Sequence, residues 1–88
     1  MTAYIVNHQK KKAILEKRVA SLRHAVKNSF PSEKIEKEAE KVRAAKLAIY
    51  KMEFSRNTTL PAHRYIPEGD ALIWQQMTVS EIIETLEL

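Results

Sequence analysis

Three histidines, eleven carboxylates and no cysteine set what chemistry this 88-residue chain could carry. Without Cys there is no disulfide, no thiolate metal site and no thiol nucleophile. His8, His24 and His63 stand far apart, and none is three or four residues from a second ligand-type side chain on a predicted helix. Zinc and di-iron sites on helices need that spacing, so no metal is expected. Glu33, Glu36, Glu38 and Glu40 crowd one stretch. Paired catalytic carboxylates need burial or close apposition to separate their pKa values, and these four read as a solvated helix face. A Gly-rich phosphate loop and a nucleophile elbow are both missing from a chain whose only glycine is Gly69. The expectation is a protein that is not an enzyme, with no cofactor and no small-molecule substrate.

The basic residues offer a sharper possibility. Lys10, Lys11, Lys12, Lys17, Arg18, Arg23 and Lys27 all fall in the first thirty residues, against Glu16 alone. Positive charge of this density is what phosphate contact requires. Base reading would also need aromatics or amides near the bases, and this segment has only Tyr4, Asn7 and Gln9 near its start. The plain alternative is a solvated face that keeps the chain in solution. Charge reverses at the far end, where residues 57–88 hold Arg64 and five acids. That asymmetry points to an acidic partner outside the chain, or to an acidic tail folding back on a basic body.

The elements that must position these groups are helical. Ala, Leu, Glu, Lys, Gln and Arg dominate residues 9–56, and these are the strong helix formers. Leu15, Val19, Leu22 and Val26 are spaced 4, 3, 4, a helix-packing stripe that predicts a first helix over residues 2–29. Run backwards, the stripe places Lys12 and His8 on the seam. Pro31 breaks the chain after Phe30, and Ser32 can cap a second helix over 32–56. In it Ile35, Val42 and Ile49 recur every seven residues, with Ala39, Ala45 and Met52 between them, and Glu33, Lys37 and Lys41 are spaced for i,i+4 ion pairs. So short a connection makes the two helices antiparallel. Val26 then faces Ile35, Leu22 faces Ala39, Val19 faces Val42, and His8 lies by Met52.

A second stripe, Leu47, Tyr50 and Phe54, makes the end of helix 2 apolar nearly all round. Such a helix needs covering on more than one side. Residues 57–77 form an irregular arm, with Leu60, Tyr65, Ile66, Leu72, Ile73, Trp74 and Met77 as anchors across the hairpin; the 71–74 stretch is short enough to be helix or strand. Thr78-Val79-Ser80-Glu81 is a capping box that starts a short helix over 78–87, with Met77 and Ile82 placed as a hydrophobic staple.

The fold expected is all-α and single-domain over 1–88: an antiparallel two-helix hairpin, an irregular C-terminal arm and a short capped C-terminal helix. Two copies could complete it as a dimeric four-helix bundle. No apolar run reaches the ~20 residues of a membrane span, no signal-peptide pattern is present, and the cytoplasm is the expected compartment. The favoured function is a non-catalytic protein-protein interaction or adaptor protein, self-associating as a homodimer in preference to a monomer. Its candidate partner surface is Leu47, Tyr50, Phe54, Tyr65 and Trp74, aromatics being enriched at interfaces. The second reading is a small basic nucleic-acid-binding regulator using the seven cations of helix 1.

Overall fold

The computed structural model describes residues 3–57 and 64–88. Four helices follow one another: α1 (Ala3–Lys27), α2 (Ser32–Asn57), α3 (Asp70–Gln76) and α4 (Val79–Thr85). There is no strand among the described residues. The two long helices pack against each other, and α3 and α4 both settle on α2.

The hairpin register is the one the stripes dictate. Leu22, Ala39 and Val42 are fully shielded, with Val19, Val26 and Ile35 packed against them. Full burial of a Leu side chain stabilises by ~2–3 kcal/mol. The same register carried to the open end brings His8 to Glu53, 3.2 Å apart. One seam position differs from the expectation. Lys11 is half-buried, whereas Lys12 is exposed. Four residues back from Leu15 stays closer to the seam than three, because the contact angle between the helices drifts along α1.

The turn is a Schellman motif built without glycine. Ser29 takes φ 53°, its N–H donates to the Val26 carbonyl at 3.2 Å, and the Phe30 N–H reaches back to Ala25 at 3.0 Å. Those are the two bonds that close a helix C-terminus. Asn28 adds a side-chain bond to the His24 carbonyl at 2.8 Å. The Pro31 carbonyl then receives the N–H groups of Lys34 and Ile35, so Pro31 occupies the position expected of Ser32, and Ser32 is the first helical residue. Fixed φ and the missing N–H suit proline to this place.

The 57–77 arm is only partly irregular. Its 70–76 portion is α3, entered through Gly69 at φ 56°, ψ −128°, a backbone region open essentially to glycine. Ala71 and Trp74, three residues apart, turn inward, which is helical spacing where strand spacing would alternate. Leu60 and His63 lie outside the described residues. The start of α4 forms as expected: the Thr78 hydroxyl accepts from the Glu81 N–H at 3.1 Å, and the Glu81 carboxylate accepts from the Thr78 N–H at 3.2 Å. Ile82 on α4 is fully buried and Met77 packs on the same core. At the chain end Glu87 (φ 57°) and Leu88 repeat the Schellman pattern, Leu88 N–H donating to Ile83 and Glu87 N–H to Glu84, both at 3.0 Å.

Candidate functional site

The structure brings the five proposed partner-surface residues together, but largely as the chain's own packing. Trp74 is 8% exposed and belongs to the central core with Leu22, Ala39, Val42 and Ile82. It is therefore a core residue and not an open contact. Leu47 and Tyr50 are half-buried against that core. Phe54 and Tyr65 meet at a ring distance of 5.2 Å, tilted by 55°. The Lys46 ammonium stands 5.3 Å from the Tyr50 ring and 5.7 Å from the Trp74 ring, close enough for cation–π attraction to both. α3 supplies the apolar cover that the end of α2 requires.

Burial leaves its mark on the two phenols. Tyr50 is pushed above its ordinary pKa by desolvation and then by the carboxylates of Asp70 and Glu53. Tyr65 is pushed up by desolvation, with Glu53 adding to it. The Tyr65 hydroxyl is shielded from solvent and has no hydrogen-bond partner, a cost that buried polar groups rarely bear.

With Trp74 and Ala71 turned inward, α3 presents the opposite side outward. Leu72 is 39% exposed and Ile73 55%, and Ile66 in the approach to α3 is 73% exposed. These three were expected as anchors across the hairpin. They are instead open to solvent, Leu72 and Ile73 on the outer side of α3 and Ile66 before it, with exposed Glu68 and Asp70 between them in the chain.

The seven cations of α1 stay where the sequence puts them, on the helix surface. Six are exposed and Lys11 alone is half-buried. Among the described residues none of the seven forms an ion pair. At ~100° per residue, Lys10 and Lys17 share one flank while Lys12, Arg23 and Lys27 spread over another. The C-terminal part does fold back, but onto α2, and its carboxylates pair with none of these cations.

One carboxylate of α2 is not the solvated group expected. Glu38 is 5% exposed, held at 3.4 Å by both Lys34 and Lys41. Burial acts to raise its pKa, but the ammonium groups of Lys34 and Lys41 outweigh that and hold it below the usual carboxylate value. A shielded carboxylate is costly unless paired, and both Lys34 and Lys41 pair with Glu38; the expected i,i+4 pair of Glu33 with Lys37 does not form. Glu40 grips Arg43 through two bonds of 3.1 Å.

Arg43 is a fastening side chain that sequence reasoning missed. Its guanidinium donates to the carbonyls of Trp74 (2.9 Å), Gln75 (2.7 Å) and Met77 (2.6 Å). These are carbonyls at the end of α3, where a helix leaves its last acceptors unsatisfied. One side chain of α2 thus caps α3 and fastens the link to α4. No local signal in the sequence marks it, since the three acceptors are backbone groups more than thirty residues away.

Toward the open end, His8 stacks on Tyr4 at 5.6 Å while its Nε2 meets Glu53. Arg56 lies 4.9 Å over the Tyr4 ring. His24 is exposed and edges against Phe30 at 5.4 Å. Among the described residues no three His, Asp or Glu side chains gather as a metal cage, and no helix is long and apolar enough to cross a membrane. Comparison of the chain with known protein families, with characterised proteins and with solved structures gives no match.

Proposed function

We propose that this is a non-catalytic interaction protein that binds another protein chain through the open edge of α3 and its approach. The observation that carries this reading is the exposure of Ile66, Leu72 and Ile73 within eight residues, while the other exposed large aliphatics among the described residues, Ile5, Val6 and Ile14, lie along α1. Grouped exposed aliphatics mark contact surfaces more often than isolated ones. The acids beside them, Glu68 and Asp70, supply a charged border of the kind that selects a partner. Relative to the surface expected from sequence, the contact moves from Trp74 and its neighbours to the far side of the same helix.

Site-specific photo-crosslinking tests this. A photoreactive residue at Ile73 should trap a discrete protein adduct in cells, while the same residue at exposed Lys37 should not. Equal labelling at both positions, or none at either, would count against the reading.

The unpaired cations of α1 favour a second function, phosphate-directed binding of nucleic acid. Affinity for duplex or RNA should then fall steeply with salt, and Lys10→Glu, Lys11→Glu and Lys12→Glu together should abolish it. A weak signal that ignores ionic strength would remove this reading.

A further inference from the structure

We infer that the partner of the α3 edge is a second copy of this chain, which docks there with the outer face of its own α1; the inference rests on the interaction reading above. Opposite the seam, α1 presents Val6 (37% exposed) and Ile14 (49% exposed). At ~100° per residue these two, with Lys10 and Lys17, fall in one arc of ~80°. The α3 edge presents Leu72 and Ile73 with Glu68 and Asp70. Each surface is therefore an aliphatic strip with a charged border, and the borders have opposite signs.

Within one copy the strips do not meet, because α1 and α3 both pack on α2 and the outer face of α1 turns away from it. Among the described residues Lys10, Lys17, Glu68 and Asp70 make no ion pairs. The dimensions also suit. Val6 to Ile14 spans ~12 Å and seven-residue α3 ~10 Å, at ~1.5 Å per residue. The imbalance extends beyond the four bordering charges: α1 holds seven bases and one acid, whereas residues 64–88 hold one base and five acids. Two copies related by a two-fold axis make the contact twice, α1 on α3 and α3 on α1. The contact is small, so the association is weak and dominated by charge at low salt.

Sedimentation of the full chain reads this directly. The association constant should fall at least tenfold between ~50 mM and ~500 mM salt. Lys10→Glu/Lys17→Glu should be monomeric, and so should Glu68→Lys/Asp70→Lys. All four sites are on the surface, and unchanged melting curves confirm that the variants are folded. An equimolar mixture of the two variants should associate, because both contacts regain opposite charges. Failure of the mixture to associate overturns the inference. So does self-association untouched by either variant, which would indicate a hairpin-to-hairpin bundle. A chain that is monomeric at every salt yet still yields a foreign-protein adduct at Ile73 overturns the inference and leaves the interaction reading standing.

Discussion

The two ends of the α1–α2 hairpin share one register but are held differently. At the turn end Leu22, Ala25, Ala39 and Val42 are each 1% exposed or less, and α3 and α4 add Trp74 and Ile82 to the same core. Toward the open end the facing pairs are polar: half-buried Tyr4 meets Arg56 and half-buried His8 meets Glu53. Alignment is therefore set where burial is complete and inherited where it is not. A half-exposed histidine–carboxylate contact contributes under ~1 kcal/mol, too little to define a register by itself, and yet it forms in the place the distant core dictates.

Substitution should expose this difference most strongly at the core. Leu22→Ala and Trp74→Ala should each cost ~3 kcal/mol or more in denaturant unfolding, whereas Tyr4→Ala should cost less than ~1 kcal/mol. Comparable losses would mean the open end is as firmly built as the turn. Arg43→Met comes next, at ~2 kcal/mol, since three carbonyls lose a charged donor. Arg43→Lys should recover only part of that, because a single ammonium cannot serve the same fan of acceptors. Ser29→Gly should gain ~1 kcal/mol by relieving a left-handed L-residue, measurable as a higher melting temperature and localised to the turn.

The mildest test is acid. The pKa of Glu38 is depressed in the folded chain below its ordinary 4.5. Its pairing therefore contributes fully above that value and is lost as pH falls through the lower folded-state value. Stability should decline on acidification through this window, and Glu38→Gln should flatten that part of the profile. A variant whose acid profile overlays the parent's would show that the lysines do not hold the carboxylate.

The hairpin was legible because helical periodicity over twenty-five residues leaves few alternatives. The capping box before α4 was legible because Thr78 and Glu81 satisfy each other locally. α3 was not, since seven residues complete only about two turns, and Ala71 and Trp74 reveal their phase only once the core is in place. The same shortness let Ile66, Leu72 and Ile73 pass for anchors. Glu38 looked like one charge among many, and only the packed hairpin shows it 5% exposed between Lys34 and Lys41. Arg43 lay beyond sequence reasoning altogether, because its partners are backbone oxygens whose arrival depends on how the tail returns.

Gly69 has a consequence for chemistry outside the genetic code. Its backbone angles exclude ordinary L side chains, yet a methyl group built on it would meet nothing within 4 Å. The obstacle at this position is handedness and not room. A D-alanine sees the mirror-image angles, which lie in the broad extended basin, and a chain of 88 residues is within reach of ligation from synthetic peptides. The inverted centre would restrict the unfolded chain while leaving the junction before α3 unchanged, so a protein assembled this way should melt higher than its all-L parent.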